Sequence, residues 1–181
     1  IRAANFREYG EYKMDWKSYK IVEKNWKRLL VIHLLWEVFM NDRVDNPFVK
    51  VNEIIEKTKW ENLDWIIIDF HKEVTSEWYA MAFFLDWKAS FVFWTHTHVQ
   101  TNDELILENG TWFLSDVWMN GSLYSVIWAD YKSVEKRFVT WWRSKITQSL
   151  DKKYVVNWAI IDIWDKMKCK NIEKIRIRGE L

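Results

Sequence analysis

The chain has 181 residues and a mass of 22.3 kDa, enough for one domain with its own core. Its 27 Lys+Arg against 26 Asp+Glu give no charge excess that would make nucleic acid or an anionic membrane the main partner. No apolar run reaches the length of a membrane span and no signal peptide is visible. The one cysteine, Cys169, excludes an intramolecular disulfide framework and fits the reducing cytoplasm. It lies among lysines, so an exposed or half-buried thiol is expected rather than a nucleophile. The first residue is Ile1, not Met, so the natural start is expected to have been removed, processed or not captured.

Residues 19 to 36, YKIVEKNWKRLLVIHLLW, read as a hairpin whose second strand is almost wholly apolar and therefore central. DNPFVKVNEIIEKTKW follows as a helix, with Asp45 or Asn46 as cap, Pro47 in its first turn, and Phe48, Val51, Ile54 and Ile55 on one face. Residues 64 to 70, DWIIIDF, form a buried strand ending at His71. TSEWYAMAFFLDW, residues 75 to 87, is a second helix, with Thr75 or Ser76 as cap and Glu77 in the first turn. SFVFW is the next strand. Helix, strand, helix, strand over residues 45 to 98 predicts parallel strands joined by right-handed crossovers. Beyond lie the loop TNDELILENG, a strand at TWFLSDV, the polar turn NGSLYS, a helix around SVEKRFVTWW, and closing strands at YVVNWAIIDI and IEKIRIR. The reading is a single α/β unit with an added hairpin at each end.

The composition has one abnormality: 15 Trp and only 4 Gly, where glycine is usually about 7% of a chain. The tryptophans stand where glycine is normal. Asn25-Trp26 joins two strands at the place of an Asn-Gly turn, and Asp86-Trp87 ends a helix where a left-handed glycine cap belongs. An aromatic core or a carbohydrate-binding surface accounts for many rings, but not for rings in turns.

Parallel α/β sheets place their sites beyond the carboxyl ends of the strands, where His71, His96 and His98 all fall. Alternation along an extended strand would send His96 and His98 to one side and Thr95 and Thr97 to the other. Three imidazoles on one rim suit a transition-metal site better than a general base, which needs only one; two polar loop residues are the plainer account of the His-x-His pair alone. His33, inside the central strand, is expected to be a hydrogen-bonded core residue. A hydrolytic metal centre usually also needs oxygen ligands. Asp69, Glu73, Asp103, Glu104 and Asp116 are nearby, but no spacing singles one out.

IDFHKEVTSEW (68–78), WTHTHVQTNDE (94–104) and DVWMNGSLYSVIW (116–128) together resemble the YmdB-like branch of the calcineurin-like metallophosphoesterases, and the likeness runs from RAANF to IEKIRI. The resemblance implies a layered α/β/β/α metallophosphoesterase-type sandwich. It makes residues 1–181 a single domain, the carboxy-terminal two thirds of a metallophosphoesterase domain lacking its first strands. It implies that His71, His96 and His98 are ligands of a two-metal centre of divalent or trivalent ions, iron or manganese, with the two histidines of the pair serving different ions. A metal-bound hydroxide would attack a phosphodiester small molecule of the 2′,3′-cyclic-nucleotide kind, and a homo-oligomer is the family-level expectation.

Two departures from the family stand out. The amino-terminal segment with the first-strand Asp and the Asn-Gly-Glu-Asn and Asn-His-x-Trp-Asp motifs is absent, so this chain alone is expected to bind metal weakly and turn over poorly. The second concerns tryptophan: Trp36, Trp87, Trp94, Trp118 and Trp128 fall where the family has glycine, and Trp16, Trp26, Trp141 and Trp158 are expected to do the same. Trp78 instead replaces a lysine and Trp65 an aliphatic residue. The pattern is that expected of a gene using UGA for glycine but read as though UGA meant tryptophan. Taken at face value, Trp94 should crowd the metal rim beside His96. Two other classes remain at this point, a catalytically inactive fragment or interaction module that retains the fold, and a Trp-rich binder of carbohydrate or aromatic ligands.

Overall fold

The structure, a computed structural model, describes residues 1–7, 17–36, 44–71, 73–141, 145–165 and 168–181; Trp16 lies outside them. Strands β1 (Tyr19–Lys24) and β2 (Lys27–Leu35) form the expected hairpin. Helix α1 (Pro47–Thr58) follows, and its cap is Asn46, whose side chain accepts from the N–H groups of Phe48 and Val49. Strand β3 (Trp65–His71), helix α2 (Thr75–Phe84) and strand β4 (Phe91–Phe93) complete the two crossovers. α2 departs from expectation at both ends. Its N-cap is Val74, with no side-chain cap, and it stops at Leu85 rather than running to residue 87.

Strands β5 (Leu105–Ile106) and β6 (Trp112–Leu114) finish a six-stranded sheet of order β1-β2-β3-β4-β6-β5. The four inner strands β2, β3, β4 and β6 run parallel, as the helix–strand alternation requires. A second sheet holds β7 (Gly121–Ser122), within the stretch read as a polar turn, with β8 (Lys153–Asp165) and β9 (Lys168–Glu180). Helix α3 (Tyr131–Thr140) lies between β7 and β8 in sequence and is capped by Asp130, which accepts from the Ser133 N–H.

Period-two alternation divides the main sheet between two cores. Leu30, Ile32 and Leu34 of β2 and Ile66, Ile68 and Phe70 of β3 pack with Val51, Ile54, Met81 and Leu85 of the two helices. The opposite face carries Phe91, Trp112 and Leu114 against the β8/β9 hairpin, with Ile161, Ile163, Ile172 and Cys169. The result is helices on sheet on sheet. Cys169 is buried in this second core, not exposed, and its thiol is pushed up to about 11 by burial. The hairpin does not cover the whole face: an apolar cleft of about 480 Å³ remains between Leu29, Trp65 and Ile67 and the ends of β8 and β9.

The backbone decides what the tryptophans do. Trp26, Trp87, Trp128 and Trp141 all have positive φ, at 65°, 70°, 67° and 52°. Asn25-Trp26 and Ile127-Trp128 each put two successive residues at positive φ, the signature of a type I′ two-residue turn, whose second position favours glycine. Trp141 is the left-handed C-cap of α3. Trp94 has no such backbone. It is fully buried, with its ring centroid 4.8 Å from that of Trp78 and 5.9 Å from that of Phe70, so it lines the helix-side core and not the rim.

Candidate metal centre

β3 ends with its odd-numbered residues on the face turned away from the helices, which carries Asp69 and His71 to the carboxyl edge. The chain leaves β4 one residue before Trp94, and Asp116, just beyond β6, then takes control of it. The fully buried Asp116 carboxylate accepts from the N–H groups of His96 (2.8 Å) and Thr97 (2.5 Å) and from the Thr97 hydroxyl (2.8 Å). A carboxylate gathering consecutive N–H groups bends the chain into a loop, so strand alternation no longer sets where the side chains point.

The two histidines therefore separate. His96 Nδ1 lies 3.5 Å from His71 Nε2, with the rings nearly perpendicular. His98, at φ 57°, instead packs against Trp128 and Trp118, at centroid distances of 4.8 and 5.6 Å. The shared face expected for His96 and His98 is thus corrected, because the segment is not extended. His98 Nδ1 is buried and has no hydrogen-bond partner among the described residues. Trp36, held by its N–H to the His71 carbonyl (3.0 Å), lies 5.2 Å from both the His71 and His96 rings. Crowding of the rim comes from Trp36, Trp118 and Trp128 rather than Trp94.

A polar relay supports His71. His33 Nδ1 lies 3.0 Å from Asp69 Oδ2, Thr95 Oγ1 donates to Asp69 Oδ1 (3.2 Å), and His71 Nδ1 lies 3.4 Å from Thr95 Oγ1. His33 is half-buried beside Asp69, its Nδ1 without a hydrogen bond among the described residues, and it is not the hydrogen-bonded core residue expected. The signal was available in its parity, since it falls out of phase with Leu30, Ile32 and Leu34. Burial, and secondarily the neighbouring His96, hold the His71 imidazole below the ordinary histidine value, against the opposing pull of Thr95 and Asp69. A depressed value favours the neutral form, the form that ligates a metal.

The donor set fits one metal ion in part. Two nitrogens on a tetrahedral ion with bonds of about 2.0–2.1 Å sit about 3.4 Å apart, close to the His71–His96 separation. The oxygen candidates are mostly engaged elsewhere: Asp103 accepts from the Ser115 N–H, Glu104 pairs with Lys174, and Asp116 anchors the loop. Among the described residues no group of three or more His, Cys, Asp and Glu could hold an ion. His71 and His96 are in ring contact, while the ring contacts of His98 are to Trp118 and Trp128.

A mixed α/β sandwich with histidines at the carboxyl ends of adjacent parallel strands defines a metallophosphoesterase-type fold, and solved structures agree. A phosphatase from Mycoplasma pneumoniae superposes with a TM-score of 0.87 at 27% identity, over 99% of this chain and 64% of that one. A hypothetical protein from Thermus thermophilus gives 0.85 at 27%, over 98% and 67%. Residues 1–175 match the family described as YmdB-like protein, and the chain belongs to that family. It is 36% identical over 181 residues to the 2′,3′-cyclic-nucleotide 2′-phosphodiesterase of Bacillus subtilis, across 99% of this chain and 66% of that protein. It is 32% identical over 142 residues to a putative phosphatase/phosphodiesterase of Mycoplasma genitalium, across 77% of this chain and 50% of that one. The chain therefore spans between half and two thirds of the length of these relatives. Among the described residues no helix is long and apolar enough to cross a membrane.

Proposed function

We propose that the protein carrying this chain is a metal-dependent phosphodiesterase acting on a small phosphodiester of the 2′,3′-cyclic-nucleotide type, and that residues 1–181 are one domain bearing the histidine side of its metal centre. The observation that carries this reading is the facing pair His71 Nε2 and His96 Nδ1, 3.5 Å apart, in a chain 36% identical to a named 2′,3′-cyclic-nucleotide 2′-phosphodiesterase. His71 and His96 hold one ion and His98 serves the second of a pair, iron or manganese. Such ions, when bound, supply positive charge to phosphoryl oxygens and lower the pKa of water. The remaining work falls to the chain itself. Asp116 fixes the His96 backbone, while Thr95 and Asp69 orient the His71 ring and keep its Nε2 free for a ligand. A reducing cytoplasm and a homo-oligomer complete the proposal.

A second reading, a fold-retaining module completed by a partner, draws on one fact: Asp103, Glu104 and Asp116 are all committed to structural bonds. Calorimetric titration with Mn²⁺ tests the metal assignment. His71→Ala and His96→Ala are each expected to weaken binding at least tenfold with the far-UV circular dichroism unchanged. Equal affinity in wild type and both variants would remove these histidines from the site.

A further inference from the structure

Helix α3 leaves most of its apolar side uncovered. Tyr131, Val134 and Phe138 recur at i, i+3 and i+7 and form one stripe along the helix. Only Val134 is buried, while Tyr131 is 51% and Phe138 69% exposed. The first turn is nonetheless firmly placed. Asp130 N–H donates to the Thr147 carbonyl (2.8 Å), and Thr147 N–H donates to the Ser133 hydroxyl (3.3 Å). These bonds bring Ile146 beside the start of the helix, and Ile127 lies three residues before its cap. Both are exposed, as is Val139 on the flank of the stripe. Trp141 leaves the helix with its left-handed backbone and is not part of the stripe.

We propose that this stripe is a self-association surface, covered in solution by α3 of a second copy running antiparallel to it. The inference rests on the homo-oligomer included in the reading above and adds the surface that forms it. Area argues for a second copy. Tyr131, Phe138, Val139, Ile127 and Ile146 together expose roughly 450–500 Å² of apolar surface. Homodimer interfaces are about 65% apolar, so the whole contact comes to about 700–750 Å² per copy, close to the ~800 Å² of a stable pair. Spacing argues the same way. A twofold interface makes every contact twice. Tyr131 and Phe138 stand about 10 Å apart along one side of the helix, placed symmetrically about Val134 and Glu135. An antiparallel copy therefore sets each Tyr131 against the partner's Phe138, and one register makes two aromatic pairs.

The test is the mass in solution of the protein carrying this chain, read by light scattering after size exclusion, and it needs neither metal nor turnover. The wild type is expected to associate at micromolar concentration. Phe138→Glu and Tyr131→Glu are each expected to raise the dissociation constant at least about tenfold, with the far-UV circular dichroism unchanged because both side chains are exposed. Val49→Glu, at an exposed position on α1, is the control and should leave the mass as it is. The register has its own test. Oxidation should cross-link a mixture of Tyr131→Cys and Phe138→Cys proteins but neither variant alone, and the buried Cys169 takes no part. A wild type that stays monomeric strikes the homo-oligomer itself. An oligomer that both glutamate variants leave intact strikes this surface alone, and cross-linking no stronger in the mixture than in either variant overturns the antiparallel pairing.

Discussion

Replacing tryptophan by glycine is ordinarily destabilising, and at three positions here it is expected to stabilise. Trp26, Trp87 and Trp141 combine positive φ with exposures of 93%, 65% and 89%, so their rings bury little. Holding a residue with a Cβ in the left-handed region costs about 1–2 kcal/mol. Glycine removes that cost but adds unfolded-chain entropy of about 0.5–1 kcal/mol. The net gain is about 0.5–1 kcal/mol per site, or about 1.5–3 kcal/mol for the triple variant if the three distant sites add. At roughly 2–4 °C per kcal/mol for a chain of this length, Tm should rise by about 3–12 °C, read by thermal circular dichroism. Trp94→Gly is the contrast. That ring is buried without positive φ, and its loss should cost about 3–5 kcal/mol. A fall in Tm for each of the three exposed substitutions would refute the argument from backbone strain. Codons at positions 26, 87, 128 and 141 test the same idea at the gene: UGA accords with glycine as the intended residue, and UGG contradicts it.

Asp116→Ala should destabilise by about 3 kcal/mol, since three part-buried donors lose a buried, charged acceptor, with urea denaturation as the measure; a change under 1 kcal/mol would mean the loop does not depend on this carboxylate. Cys169, with its thiol raised to about 11, should resist iodoacetamide in the native protein at pH 8.5 and react promptly in urea, and equal rates would contradict its burial. Because the fold favours the protonated thiol, its contribution to stability is present below pH 9 and is lost as pH rises toward 11. For His71 the sign is opposite to that of a paired histidine. Its folded pKa lies below 6.5, so the unfolded chain binds more protons and stability should increase with pH up to about 6.5. Histidine ring NMR of the metal-free protein checks this through a His71 midpoint below 6.5, and a midpoint above it would count against the burial described.

Much of this was legible in the sequence because periodicity and turn chemistry act locally. Asn46 and Pro47 announce the start of α1. The alternation of Leu30, Ile32 and Leu34 marks a central strand, and Asn25-Trp26 was readable as a turn occupied by the wrong residue. The placement of His71 and His96 at or beyond the ends of adjacent parallel strands was legible from the alternation of helix and strand. What failed was decided by tertiary partners. His98 left the common face because Asp116, eighteen residues further on, captures the loop, and no local pattern shows that capture. Trp94 was misplaced because a glycine-like position was equated with the rim, whereas space in the core between Phe70 and Trp78 receives its ring.

The most direct measurement is hydrolysis of 2′,3′-cyclic AMP by the protein carrying this chain, with Mn²⁺ or Fe²⁺ supplied and then withdrawn by chelation, beside His71→Ala and His96→Ala. The account predicts turnover that requires metal, stops on chelation, returns on readdition, and falls at least a hundredfold in each variant. Turnover indifferent to chelation, or retained in both variants, would contradict a centre built on these two histidines.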